Sequence, residues 1–285
     1  MCIVFLQFLK SPNLQISKYW LILAANRDEF FHRPSKPADF WENQEHVIGG
    51  QDLTKGREGG TWLGMSRNGK VGMLTNYRSK ADHLQKNASG VLKPRGQIVV
   101  NYLTENRHPQ SYVHELMASE KEYSPYNILL GNFTKNSGFN FYYGSNAVKM
   151  TEKDFELEPG VHGLSNAELN CSWTKVQKGK KKFEEIVSND FEKEELIQKL
   201  LELMENGEIN YPNHGGSDLH LDEEIAVPLS AIFVSVPKTM YGTRTITIIL
   251  VDNENQVTFL EKTMMDAMDI SNPKWQTKSY EFTLS

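Results

Sequence analysis

The sequence predicts an α+β fold with mainly antiparallel sheets, on three observations. Strand-like segments crowd the first third of the chain and return at its end, helical periodicity fills the middle, and hairpin turns rather than regular β-α-β alternation join the strands. With 285 residues and 39% apolar content the chain can bury a large core. No repeat, low-complexity tract or clean linker divides it, so residues 1–285 read as a single domain.

The elements follow in order. "CIVFLQFL" and "YWLILAAN" are dense in β-branched and aromatic residues and flank the turn-rich "KSPNLQISK", which predicts a buried hairpin. A second hairpin is expected in "GGTWLGMSRNGKVGMLTNY", where Asn68-Gly69 stands between two apolar runs. "PRGQIVVNYLTEN" and "PQSYVHELMASEK" each start near a proline and read as helices. "CSWTKVQKGKKKFEEIV" puts Trp173, Val176, Phe183 and Val187 on one stripe, with Lys178 and Lys180 to Lys182 on a solvated face. "KEELIQKLLELMEN" groups Leu196, Ile197, Leu200, Leu201 and Met204. Strands are expected in "YNILLGNF", "FNFYYG" and "NAVKM", and again in "AIFVSV", "TRTITIILVD", "QVTFLEK" and "SYEFTL".

Composition excludes several classes of function. The net charge of −5 comes from 31 basic and 36 acidic residues that are well mixed, which leaves no basic face for nucleic acid. Two cysteines, Cys2 and Cys171, make neither a disulfide framework nor a cysteine-rich zinc site, and suit a reducing compartment. "MCIVFLQFL" lacks the basic region and cleavage site of a signal peptide, and no apolar run approaches the length of a membrane span. The expected location is cytoplasmic, with mitochondrial or Golgi association left open. The loop of residues 205–224 gathers His214, Asp218, His220, Asp222 and Glu223, but their spacing matches no ligand pattern and no metal is expected.

"LILAANRDEF" passes from an apolar run into Asn26, Arg27, Asp28 and Glu29, which read as the turn after a strand. Alternation sends Asn26 and Asp28 to one side and Arg27 and Glu29 to the other. Cys2 raises a chemical question. Initiator methionine is removed before a small second residue, so the mature chain should begin with a thiol and a free α-amine on one residue. That combination holds a nucleophile and its base, since the amine titrates at roughly 7.7–8.0 and the thiol at ~8.5. The other reading is an inert, buried cysteine at the start of a strand. Asn76 in "GMLTNY", Asn166 in "HGLSN" and Arg244 in "MYGTRTITII" are further polar residues after apolar or glycine-rich runs. Asparagine amides suit an oxyanion, and arginine suits an anionic group or a thiolate.

This constellation resembles the N-terminal-nucleophile hydrolases of the choloylglycine and penicillin acylase type, and the resemblance implies an αββα sandwich. It also implies catalytic roles for Cys2, Asp28, Asn76, Asn166 and Arg244. One position departs: where those enzymes carry an arginine three residues before the aspartate, this chain has Ala25, with Arg27 displaced to the opposite strand face. A closer resemblance runs along essentially the whole chain. "MCIVF", "LILAANRDEF", "RPSKPADFW", "EGGTWLG", "LTNY", "GLSN", "YGTRTITIILVD" and "YEFTL" are similar to the transport and Golgi organisation protein 2 family, named also for its Asn-Arg-Asp-Glu motif. That resemblance implies links to Golgi organisation, to lipid and acyl-CoA homeostasis, and to haem movement.

Two functions follow as expectations. In the first, the protein carries an amphipathic ligand, haem or a fatty acyl group, between donor and acceptor proteins. Haem would then be cargo and not a required cofactor. In the second, it is a cysteine amidohydrolase or acyltransferase acting on an acyl amide or thioester. The expected ligand-binding residues are Asn26, Arg27, Trp62, His162 and Trp173, with the tryptophans as apolar walls. Cys2, His162 and His32 are the axial candidates for haem iron, and no Cys-x-x-Cys-His attachment motif occurs. Asp28 is expected to serve the site, Arg27 to anchor the turn through an acidic neighbour, and the Cys2 thiol to titrate below a free cysteine. Intact-mass measurement on protein made in cells should show Met1 absent, and a retained Met1 would remove the N-terminal nucleophile.

Overall fold

The structure is a computed structural model that describes residues 2–10, 18–78, 92–119, 122–151, 153, 155–212, 221–266 and 272–285. In chain order the elements are β1 (Ile3–Phe8), β2 (Tyr19–Phe30), β3 (Ser35–Trp41), β4 (Gln44–Asp52), β5 (Leu63–Ser66), β6 (Lys70–Asn76), α1 (Gly96–Thr104), α2 (Pro109–Ala118), β7 (Tyr126–Thr134) and β8 (Gly138–Ser145). Then come β9 (Gly160–Leu164), α3 (Thr174–Val187), α4 (Lys193–Met204), α5 (Glu223–Ala226), β10 (Ser235–Val236), β11 (Tyr241–Asp252), β12 (Gln256–Met264) and β13 (Trp275–Thr283).

Packing groups these elements into two compact units. The first comprises Met1–Arg33, Gly160–Ser165 and Leu169–Phe282; the second comprises Pro34–Pro159, Asn166–Glu168 and Thr283–Ser285. Each draws on separated stretches of chain, so their division leaves no linker in the sequence.

The first unit is built on a sheet of order β13-β12-β11-β2-β1-β9, with β10 beside β11. β1 and β2 form the antiparallel pair expected of them, Ile3 opposite Asn26 and Phe8 opposite Leu21. β2 and β11 lie at its centre, and nearly all their residues are buried, as suits runs such as "LILAA" and "ITIILV". α3 packs on β1 and β9, α4 on β2 and β11, and the two helices touch each other. The α3 stripe is buried as its period requires, Trp173, Val176, Phe183 and Val187 included. Gly179 completes that stripe because the Phe5 ring fills the place of its side chain: a Cβ there would stand 2.2 Å from the ring. Phe5 then stacks obliquely on Phe183, centroids 6.0 Å apart.

The second unit is a meander of order β3-β4-β5-β6-β7-β8, antiparallel at each step. The Asn68-Gly69 turn joins β5 to β6, and Gly69 takes the positive φ of 84° that such turns require. α1 lies on β4, β5 and β6, and α2 on β7 and β8, closing a core of Ile98, Val99, Tyr102, Val113, Ile128 and Leu130. Pro109 opens α2, where a missing N–H costs nothing.

Three expected strands or turns came out differently. "NAVKM" is irregular, and only Ser235–Val236 of "AIFVSV" pairs as strand: before it the Ala231 and Ile232 carbonyls go to side chains, the Phe233 N–H to the Asn206 carbonyl, and Val234 meets Thr243 of β11 through one backbone and one hydroxyl bond. The Asn-Arg-Asp-Glu motif is no turn: β2 continues through it to Phe30 because β11 pairs with it all the way to Tyr241. His162 likewise sits within β9. Among the described residues no helix is long and apolar enough to cross a membrane. His214, Asp218 and His220 of the imagined metal loop lie outside the described residues, and among the described ones no metal-binding group occurs.

Gly179→Ala tests the helix seat. The methyl must displace a fully buried ring, so unfolding should become easier by about 1–2 kcal/mol despite the better helix propensity of alanine. Phe5→Leu in the same chain should recover part of that loss in a denaturant titration.

Candidate functional site

The motif strand has two sides with different chemistry. Its pairing with β11 sets Asn26 opposite Ile246, Arg27 opposite Thr245 and Asp28 opposite Thr243, so Arg244 is the extra residue of a β-bulge. Both sides are buried, with Asn26, Arg27, Asp28 and Arg244 each under 10% exposed.

Asn26 and Asp28 face the helices. Asn26 Nδ2 donates to the carbonyls of Met204, at the end of α4, and Ile232, at 2.8 and 3.0 Å. Asp28 Oδ1 accepts from the Thr243 hydroxyl at 2.7 Å, and that hydroxyl accepts the Val234 N–H at 2.9 Å. Burial raises the Asp28 carboxyl above the ordinary range, against the amino-terminal charge, Lys175 and the Thr243 bond, which favour its charged form. Lys175 carries this charge from the first turn of α3 and is wholly buried.

Arg27 and Glu29 lie on the other side with Arg33 and Arg244. Glu29 accepts an ion pair from Arg33 Nη1 at 3.2 Å and a longer one from Arg27 Nη2 at 4.0 Å. The Arg27–Glu29 pair is thus present, but along one strand face and not across a turn. Arg244 Nη1 donates to the carbonyls of Phe30 and Arg33, while its buried Nε has no acceptor among the described residues. Burial, then the charge of Arg27, lowers Arg244 to about 10; Arg33 adds to this and Glu29 opposes it. Three guanidiniums, of Arg27, Arg33 and Arg244, thus gather near the Glu29 carboxylate, which pairs with the first two and acts on the third through its charge.

Beside the cluster, Phe30 exposes 44% of its surface and meets Tyr241 edge-on at 5.1 Å and His32 at 5.4 Å between ring centroids. The end of β2 therefore offers cationic donors next to an aromatic shelf.

Cys2 stands one residue before β1, at the level of Arg27, and its carbonyl accepts the Ser165 hydroxyl at 2.8 Å. Burial pushes its thiol up, the Asp28 charge adds to this, and the amino-terminal charge, the Asp28 backbone N–H and Arg27 oppose it. The net direction is upward, opposite to the expectation of an acidified thiol, because burial outweighs the nearby donors. Met1, whose removal would free the α-amine of Cys2, lies outside the described residues.

The remaining predicted residues divide between the units. His162 pairs with Leu6, four positions along β1 from Cys2, or about 13 Å. Its Nδ1 lies 3.2 Å from Asn170 Nδ2 and its ring stacks on Phe8, so it does not share an iron with Cys2. Trp173 is buried at the start of α3, against the expectation of a cleft wall. Asn76, Asn166 and Trp62 belong to the second unit. Asn166 Nδ2 donates to the Asn76 carbonyl at 2.6 Å, and the Asn166 carbonyl accepts the Arg78 N–H at 2.8 Å. Trp62 is half-buried beneath Gly50, where a Cβ would meet its ring at 2.4 Å.

Sequence reasoning missed Lys175, Thr243 and Arg33. Lys175 stands at the edge of a lysine-rich helix, Thr243 in a β-branched strand, and Arg33 beside a proline, so none carries a local signal. A separate buried network, Asn127 with Thr75, Tyr143 and the Ala167 carbonyl, also escaped notice.

The two sides of the motif should respond differently to substitution. Asn26→Ala leaves two buried carbonyls unpaired and should cost about 1–3 kcal/mol of unfolding free energy. Arg27→Met relieves Arg244 of a like charge and should change stability by less than half as much. Equal losses in thermal unfolding would contradict this division.

Residues 1–266 match the profile of the family described as Transport and Golgi organisation 2. The Transport and Golgi organization protein 2 homolog of Homo sapiens is 40% identical over 292 residues, covering 100% of this chain and 99% of the relative. The homolog of Mus musculus is 39% identical over 289 residues with the same coverage, and the protein of Drosophila melanogaster is 34% identical over 93% of this chain and 92% of its own length. Among solved structures, the chain has a TM-score of 0.48 with a Caenorhabditis elegans N-acylethanolamine-hydrolyzing acid amidase ortholog, at 10% identity over 87% of this chain and 92% of that one. With the C2A mutant of the conjugated bile acid hydrolase from Clostridium perfringens the TM-score is 0.36, at 10% identity over 100% and 98%. On its sequence, matched from end to end by close relatives, the chain belongs to the Transport and Golgi organisation 2 family.

Proposed function

We propose that the protein carries an amphipathic, anionic ligand, with haem as the favoured cargo and a fatty acyl or acyl-CoA group as the other. The observation behind this reading is the buried Arg244 Nε, which has no acceptor among the described residues, in a cluster with Arg27 and Arg33 at the end of β2. An anion there would receive charge-assisted hydrogen bonds and offset the repulsion among Arg27, Arg33 and Arg244. Haem propionates, or the phosphates of an acyl-CoA, have the required charge. The Phe30, His32 and Tyr241 rings next to the cluster offer an apolar face, and His32 adds an imidazole for iron. An exposed shelf, open on one side, suits a ligand that must leave again.

A cysteine amidohydrolase or acyltransferase is the second reading, favoured by the Asp28 N–H that donates to the Cys2 thiol. Against it stands the upward direction of that thiol, which keeps it protonated at neutral pH.

Purified protein offered haem, acyl-CoA and N-acyl amides in parallel separates the two. The carrier reading expects saturable, salt-sensitive binding of haem or acyl-CoA, followed by transfer to an acceptor without product. Arg33→Ala or Arg244→Met should each weaken that binding about tenfold, the loss of roughly one charge-assisted hydrogen bond. Multiple turnover of an amide or thioester that disappears in Cys2→Ala would overturn it.

A further inference from the structure

Arg244 has one edge of its guanidinium tied down and the other without a partner. It is the extra residue of the β11 bulge, so no residue of β2 stands opposite it, and a bulge re-aims its side chain. Nη1 donates to the carbonyls of Phe30, at 3.2 Å, and of Arg33. Those two carbonyls belong to one turn, closed by the Arg33 N–H on the Phe30 carbonyl at 3.1 Å. The turn is braced against β11, where the Met240 carbonyl accepts the Phe31 N–H at 2.7 Å and the Tyr241 hydroxyl donates to the Asp28 carbonyl at 3.0 Å. Both protons of Nη1 are thus used and the guanidinium is fixed in place. Its Nε is buried and donates to nothing among the described residues, and Nη2 beside it donates to nothing there either. Glu29 pairs with Arg33 and Arg27 and, among the described residues, reaches Arg244 through its charge alone.

We propose that the Nε–Nη2 edge of Arg244 is a carboxylate fork, and that the ligand the protein carries bears a carboxylate on an apolar body. The inference rests on the carrier reading and narrows it from anions in general to one class. A guanidinium edge presents two parallel N–H donors in one plane, which match the two oxygens of a carboxylate. A buried charged donor is costly until it is paired, and a water would supply an acceptor but no charge. A phosphate monoester fits less well. It brings about −1.5 to −2 charges at pH 7 and three terminal oxygens, and two donors in one plane leave the third oxygen unbonded. Around a side chain that is only 7% exposed, that oxygen is not made good by solvent. A carboxylate brings one charge and two oxygens and leaves neither over. The apolar body has its place beside the fork: Phe30, whose carbonyl holds Nη1, exposes 44% of its surface, and Tyr241 meets its ring edge-on at 5.1 Å. Head and body contacts therefore sit on one braced turn. A fatty acid and a haem propionate offer the same chemistry.

The test is equilibrium dialysis of the full chain against laurate, dodecyl phosphate and dodecanol, each below its micelle concentration, and against haem and haem dimethyl ester. A preference of about tenfold or more for laurate over both dodecyl phosphate and dodecanol assigns the fork to a fatty acid. The same preference for haem over its dimethyl ester assigns it to a propionate, and either result supports the proposal. Arg244→Lys keeps the charge and loses the fork, so in folded protein it should weaken the preferred carboxylate about tenfold and dodecyl phosphate less than about threefold. Laurate no tighter than dodecyl phosphate or dodecanol, together with haem no tighter than its ester, would overturn the fork while leaving the carrier reading in place. So would a carboxylate preference that survives unchanged in folded Arg244→Lys. If no probe binds, the fork and the carrier reading both fall. If Arg244→Lys does not fold, the comparison of probes on the unsubstituted protein decides by itself.

Discussion

The pairing of β2 with β11 is the constraint on which the rest depends. Both strands are 12 residues long, both are buried along nearly their whole length, and together they form the centre of the first unit's sheet. Their register decides which motif residue faces the helices and which faces away. A slip of one residue would exchange Asn26 and Asp28 for Arg27 and Glu29, setting guanidinium against the end of α4. The bulge at Arg244 belongs to the same constraint, since the extra residue lets that side chain reach back to the carbonyls of Phe30 and Arg33.

Polarity at the end of a core strand therefore has two explanations in one stretch of four residues. On the helix side, Asn26 bonds the Met204 and Ile232 carbonyls directly and Asp28 holds the Thr243 hydroxyl that takes the Val234 N–H, which is a folding task. On the opposite side Arg27, Arg33 and Arg244 gather near Glu29, and burial together with the charge of Arg27 lowers Arg244, whose Nε has no acceptor among the described residues. The side that bonds the helix layer and the side that carries the guanidinium cluster are separated by the pleat alone.

Cys2 links the halves. It meets the motif at Asp28, through a backbone N–H and a charge with opposite effects, and burial leaves the thiol raised.

Sequence by itself determined the fold class, the two hairpins, the helical stripes and the identity of the motif, because those follow from local periodicity and turn chemistry. The alternation that separates Asn26 and Asp28 from Arg27 and Glu29 was also legible, since it needs only a strand. Tertiary structure alone decided that the motif is strand and not turn, because the partner that keeps it extended is Tyr241–Ile246, more than 200 residues further on. It alone showed that His162 lies along β1 from Cys2, that Trp173 is core, and that the thiol is raised, for burial is a property of neighbours. Lys175 is the clearest case. In the sequence it is one of several lysines near the start of a helix, and only the fold takes it out of water and gives it the Leu229 and Ala231 carbonyls to hold.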